Sequence, residues 1–128
     1  IDEALRWESP VSYTVREATR DTELAGLQIK KGSRLYPVIA SGNRDETVFD
    51  NPDKFDIFRT RGSQLLTFAL GPHICLGRHL ARLEITRAVN AILDRMPHLR
   101  LDESKPPPVI RGAMLRYPKH LYVKFDGA

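Results

Sequence analysis

The chain has 128 residues, with 20 Lys and Arg against 16 Asp and Glu, a 41% hydrophobic share and a 28% charged share, the make-up of one ordinary globular domain. That composition excludes a disordered tail, a collagen-like fibre and a coiled coil, and no apolar run approaches the roughly 18–20 residues of a membrane span. The single cysteine, Cys75, excludes an internal disulfide and a four-thiolate zinc site.

In chain order, Ile1 to Trp7 reads as the end of a helix, broken at Ser9-Pro10 because proline disfavours helical backbone in the residue before it. Val11 to Thr19 has the β-branched content of a strand. Leu24 to Ile29 reads as a second strand. Lys30-Lys31-Gly32-Ser33 is a hairpin signal leading to a third strand, Arg34 to Ile39, which Pro37 marks as an edge strand or one that ends early. From Ala40 to Gln64 the pattern loses its period, and turn formers such as Asp50-Asn51-Pro52-Asp53 dominate. A loop of that length in a compact domain is functional or tightly packed. After Gly71-Pro72, the residues Ala81, Ile85, Ala88, Val89, Ile92, Leu93 and Met96 form one stripe at helical spacing, closed by Pro97. Pro106-Pro107-Pro108 is a stiff connector, and Val109 to Phe125 holds short strand-like pieces around Gly112 and Pro118. The predicted fold class is α+β: a small sheet, a long irregular loop, one long helix and a C-terminal β-hairpin.

Charge is uneven along the chain. Residues 1–64 hold 10 basic and 11 acidic side chains, whereas residues 65–128 hold 10 and 5. Arg78, Arg82, Arg87, Arg95 and Arg100 all follow Cys75. Aromatic residues do not interleave with these arginines and no nucleic-acid motif accompanies them, so nucleic acid is not an expected partner. The ordinary reading is a solvated helix face.

Phe68-Ala69-Leu70-Gly71-Pro72-His73-Ile74-Cys75-Leu76-Gly77 is the stretch richest in chemistry. It sets the only cysteine between glycines, directly ahead of the long helix. A helix N-terminus offers unpaired backbone N–H groups and the positive end of the helix dipole, which suits a sulfur anion. Three readings remain open on the residues alone. Cys75 is a nucleophile with His73 or His79 as base, a metal ligand, or a small buried apolar side chain.

This run resembles the haem-binding loop of the cytochrome P-450 family, Phe-x-x-Gly-x-His/Arg-x-Cys-x-Gly, with Phe68, Gly71, His73, Cys75 and Gly77 at every fixed position. Leu76 to Glu84 is similar to the helix that follows the loop in the soluble bacterial branch, and the resemblance extends from Glu3 to about Phe125. It implies the C-terminal portion of a mainly-α fold, with residues 1–128 as the C-terminal haem-binding part. The family's oxygen-activating helix would lie upstream of Glu3. The resemblance makes Cys75 the axial thiolate on the iron of haem b, the ligation that pushes electron density towards O–O cleavage. Phe68 would pack beside the ligand, and Leu76 and Gly77 would turn backbone amides towards the sulfur. His73 and Arg16 would bind haem propionates.

The same resemblance makes Glu3-Ala4-Leu5-Arg6 the family's Glu-x-x-Arg pair. Arg59, in Phe55-Asp56-Ile57-Phe58-Arg59, would close a buried Glu3–Arg6–Arg59 network that holds loop geometry and takes no part in catalysis. Asn43-Arg44-Asp45 is similar to the family's Asn-Arg-Asp. Val11 and Tyr13, with Met114 and Leu115 at the hairpin tip, would touch substrate. Arg78 and Arg82 would face outward to dock an acidic electron donor, a ferredoxin or flavoprotein. The implied function is a cytoplasmic monooxygenase that inserts one atom of dioxygen into an apolar organic substrate with electrons from NAD(P)H. The alternatives are a haem-free, inactive α+β portion of such an enzyme, or a haem-thiolate protein that uses peroxide or nitric oxide.

Overall fold

The computed structural model describes residues 1–59 and 65–127; the end of the predicted irregular stretch, Thr60–Gln64, lies outside them. Helix α1 (Asp2–Trp7) opens the chain with Asp2 and Glu3 in its first turn, where acidic side chains complement the helix dipole. Six residues are too few to hold a helix by propensity. Tertiary contact holds this one, through buried Glu3, Leu5 and Arg6.

The predicted strand after Ser9-Pro10 is shorter than its sequence suggests. Val11 and Tyr13 each make one isolated bridge, to Leu115 and Val38, and regular pairing is confined to β1 (Arg16–Glu17). The stretch Leu24 to Ile29, predicted as one strand, instead completes a hairpin of β2 (Thr22–Leu24) and β3 (Leu27–Ile29). Its turn is Ala25-Gly26, with φ of 49° and 80°, the left-handed pair that a two-residue hairpin loop requires. Alanine pays a steric cost there and so carries no turn signal in the sequence. Lys30–Ser33 is a turn, with the Ser33 N–H donating to Lys30 C=O at 3.0 Å. The strand after it, β4 (Arg34–Leu35), pairs antiparallel with β1 and not with β3. One hairpin is therefore nested inside another strand pair. Regular strand ends at Leu35, ahead of Pro37, and Ile39 begins a short helix, α2 (Ile39–Gly42).

The long helix, α3 (Arg78–Arg95), carries the predicted stripe, but none of its 18 residues is buried. Leu80, Leu83 and Leu93 are 60%, 53% and 63% exposed. Beyond it the nested arrangement recurs: β5 (Arg100–Leu101) pairs with β8 (Val123–Lys124), and between them β6 (Ile110–Arg111) pairs with β7 (Tyr117–Pro118). The sequence predicts the inner hairpin only; the outer pair spans the triple proline and has no local signal. Among the described residues no helix is long and apolar enough to cross a membrane.

The core is small and half polar. Leu5, Ala18, Ile39, Phe49 and Leu65 are its buried apolar members, and Glu3, Arg6, Ser9, Ser12 and Asn43 are equally enclosed. The tip of the C-terminal hairpin is tied back to the start of the chain. The Ser12 N–H donates to Met114 C=O at 2.9 Å and the Arg116 N–H to Pro10 C=O at 2.8 Å. Arg116 Nε also donates to Glu8 Oε1 at 2.6 Å. Gly112 makes that tip possible: its φ is +93°, and a Cβ there would stand 1.8 Å from the Leu115 carbonyl oxygen. Gly112→Ala is expected to cost at least about 2 kcal/mol, read as a lowered thermal midpoint with the β-bridge at Val11–Leu115 lost first to hydrogen exchange.

Candidate functional site

The enclosed charges of α1 organise the irregular loop. The Glu3 carboxylate accepts from Arg6 Nε and Nη2 at 2.7 and 2.8 Å. It also accepts from Arg59 Nε at 3.1 Å and from the Asp56 N–H at 2.8 Å. Arg6 spends its remaining donors on the carbonyls of Asn43, Pro52 and Lys54, and Arg59 on those of Asp50, Asn51 and Lys54. Glu3, Arg6 and Arg59 are thus brought together. The Arg6 hydrogen bonds, opposed by burial and assisted by the Asp56 N–H and the two positive charges, lower the Glu3 carboxyl to about 2.

Asn43, wholly enclosed, extends this network towards the cysteine loop. Its amide nitrogen donates to Ser9 Oγ at 2.7 Å and Thr67 Oγ1 at 3.0 Å. Its side-chain oxygen accepts from the Leu66 N–H at 2.8 Å, and Thr67 Oγ1 donates to Leu5 C=O. Ser9 and Thr67 escape a sequence reading because small hydroxyl residues carry no signal of their own; Asn43 is visible there only as part of Asn-Arg-Asp.

From Thr67 the chain enters the loop that bears Cys75. Ala69 and Gly71 adopt left-handed backbone, with φ of 57° and 67°, and Gly71–His73 forms a single 3-10 turn. The loop is closed by the Cys75 N–H donating to Phe68 C=O at 2.8 Å. Gly77 then caps α3 with an ordinary φ of −80°. A Cβ on it would sit 3.9 Å from Cys75 Sγ, so the sulfur lies against the cap without requiring glycine there. Cys75 is exposed. Leu76 beside it is 95% exposed, and His73 is exposed on its turn. Among the described residues no hydrogen bond joins the sulfur to His73 or His79, and no three His, Cys, Asp or Glu side chains gather into a metal-binding group.

The loop faces β1 across a cleft of about 190 Å³ lined by Thr14, Arg16, Pro37, Val38, Ile39, Leu66, Ala69 and Leu70. Arg16 therefore shares a cavity wall with the cysteine loop although 59 positions separate it from Cys75. Val11, Met114 and Leu115 are neighbours through the strand-like seam between residues 8–12 and the hairpin tip, while Tyr13 turns to Val38 and packs edge-on to Tyr36. Arg78 is half-buried at the start of α3, its guanidinium 3.5 Å from Cys75 C=O. Arg82 lies further along α3, with its side chain partly exposed. It pairs with Asp2 at 3.1 Å, and its guanidinium lies 5.3 Å from the centre of the Phe68 ring. A helix-face reading of α3 misses this because Asp2 comes from a distant part of the chain.

A family-wide sequence pattern described as Cytochrome P450 matches residues 1–125. The chain belongs to the cytochrome P450 family. Among its relatives, the biotin biosynthesis cytochrome P450 of Bacillus subtilis is 45% identical over 101 residues, which is 79% of this chain and 25% of that protein. Cytochrome P450-terp of Pseudomonas sp is 41% identical over all 128 residues, or 29% of its own length. The solved structure of P450BioI in complex with acyl carrier protein bearing hexadec-9Z-enoic acid superposes with a TM-score of 0.89 at 40% identity. It covers 98% of this chain and 32% of that one. A Mycobacterium marinum cytochrome P450 in its substrate-free form reaches 0.92 at 31% identity, covering 99% and 33%. The chain thus spans between a quarter and a third of the length of these P450 relatives, and its helices and small antiparallel sheets are part of the P450 fold.

The P450 network around Glu3 sets an acid limit. Glu3 titrates below its ordinary 4.5, so its contribution is complete above about pH 4.5 and is lost as pH falls through about 2. Unfolding midpoints measured from pH 5 downward should fall over that window in the natural protein. Glu3→Gln should flatten the dependence and cost about 3–5 kcal/mol at neutral pH, because it strands two guanidiniums that are largely out of water.

Proposed function

We propose that the protein is a haem-thiolate monooxygenase, that Cys75 would hold the iron of haem b through its sulfur, and that residues 1–128 form the C-terminal haem-binding part of one P450 domain. The observation that carries this reading is the exposed Cys75 sulfur at the capped start of α3, in a loop closed by the Cys75–Phe68 hydrogen bond. The donor chemistry suits a haem. Among the described residues one thiol stands without a cluster of other His, Cys, Asp or Glu side chains around it. Exposed Leu70 and Leu76 offer apolar surface beside it, and Arg16 across the cleft supplies a cation for a carboxylate.

When bound, the group supplies activation of dioxygen with electrons drawn from NAD(P)H through a partner protein. The chain's own residues do the rest. Cys75 holds the iron, and Leu76 and Gly77 supply backbone N–H groups for the sulfur, which moderate its basicity. Phe68 packs beside it. His73 and Arg16 hold the propionates. Val11, Tyr13, Met114 and Leu115 present an apolar edge to the substrate. The relatives support an apolar substrate class: they include a steroid C26-monooxygenase of Rhodococcus jostii, 48% identical over 98 residues, and P450BioI, solved with a fatty acyl chain on its carrier protein. Arg78, with Arg87 and Arg95 of α3, forms a positive surface for an acidic ferredoxin or flavoprotein in the cytoplasm.

A second reading concerns the 128-residue chain by itself, as a haem-free and inactive part of the enzyme. It is favoured by α3, which buries none of its residues, since a macrocycle covered on one face is held weakly.

In the protein at full natural length, the reduced carbon-monoxide complex is expected to show the strongly red-shifted Soret band of thiolate ligation. Cys75→Ala should abolish it; retention of the band would overturn the assignment. Haem titration of residues 1–128 alone tests the second reading, which a tight, saturable Soret change would sink. Arg16→Ala should speed haem loss to an apoprotein scavenger about tenfold or more, the worth of one charge-assisted hydrogen bond.

A further inference from the structure

We infer that Arg82 is a positioning residue for the cysteine ligand, acting through Phe68, and not a docking residue for the electron donor. The inference rests on the haem-thiolate reading above and assigns a new role at that site. Two contacts meet at the Arg82 side chain, beside a nitrogen that has no hydrogen-bond partner. Its Nη2 lies 3.1 Å from Asp2 Oδ1, the one ion pair that joins α1 to α3 among the described residues. Its guanidinium carbon stands 5.3 Å from the Phe68 ring centre, within the range at which a cation is attracted to an aromatic face. Its Nε is shut off from solvent.

The consequence runs along bonds already described. Asp2 anchors the guanidinium from α1, and the guanidinium holds the Phe68 ring. The Phe68 carbonyl accepts the Cys75 N–H at 2.8 Å. A planar cation is suited to this because it lies against a ring while an edge nitrogen reaches a carboxylate. A separate cleft of about 410 Å³ is lined by Asp2, Glu3, Arg59 and Arg82 among others, so the clamp stands beside the buried network of α1. Loss of Arg82 would free the Phe68 ring, loosen the Cys75 N–H bond and weaken the amide support of the sulfur. It would also remove a positive charge from the neighbourhood of the ligand. Both effects make uptake of an electron at the iron less favourable, so the reduction potential should move in the negative direction.

The test uses the protein at full natural length and two variants. Arg82→Gln removes the charge at similar size. Asp2→Asn removes the anchor at a half-exposed position, with circular dichroism of each variant as the check that the fold is kept. Two readouts separate the clamp from the haem reading. Hydrogen exchange of the peptide holding the Cys75 amide is measured on haem-free protein, and reduction potential on haem-loaded protein. Both variants should exchange at least severalfold faster in that peptide and lower the potential, Asp2→Asn by less, whereas Arg82→Lys, which keeps the charge without the planar fork, should recover part of the potential but not the slow exchange. Unchanged exchange and potential in both variants would overturn the inference. So would a loss confined to the rate of reduction by an acidic donor, which would return Arg82 to the docking surface. A natural protein that takes up no haem would refute the haem-thiolate reading instead, and with it the ligand role, leaving the exchange measurement to decide whether Arg82 holds the loop.

Discussion

The carboxylate of Glu3 is out of water, and everything around it is arranged to compensate for that. A buried anion is tolerated only when it is paired and hydrogen-bonded. Here two guanidiniums and one backbone N–H meet the requirement. The guanidiniums have donors to spare, and these reach carbonyls from Asn43 to Lys54. Irregular backbone has the same need for partners as helix or sheet. In this chain arginine side chains supply them, which is how a long loop without secondary structure acquires one shape.

That shape is handed on to the cysteine loop through neutral hydrogen bonds. Asn43 gives its backbone carbonyl to Arg6 and its side chain to Ser9, Thr67 and Leu66. Two residues later the chain begins the turn that closes with the Cys75–Phe68 bond. The exposed sulfur is therefore set by a continuous polar framework that starts in α1. On the other side of the same chain start, the hairpin tip at Gly112–Arg116 is bound to residues 8–12, so both walls proposed to face a substrate are referred to one short segment.

Apolar packing plays a smaller part than in most domains of this size. Among the described residues, five buried apolar side chains stand against five buried polar or charged ones, and α3 buries none of its residues. Exposed apolar surface forgoes about 25 cal/mol for each Å² left in water. This agrees with the proposal that residues 1–128 are one part of a larger P450 domain, whose relatives are three to four times as long.

Much of the candidate site is legible in the sequence because its pattern is local. The spacing of Phe68, Gly71, His73, Cys75 and Gly77 lies within ten residues, and the α3 stripe follows from helical period alone. Pro37 and Pro97 mark real ends because proline acts on its own neighbours. Elements that depend on distant partners were not legible. Ala25-Gly26 reverses the chain although alanine is a poor turn residue, and β4 pairs back to β1 across the hairpin it encloses. Strand β8 finds β5 beyond three prolines. Arg82 looked like any exposed arginine of a helix until Asp2 and Phe68 were placed beside it. Local backbone preference and side-chain chemistry are written in the order of residues; which charges end up neutralising one another is decided only when remote segments are brought within a few ångströms.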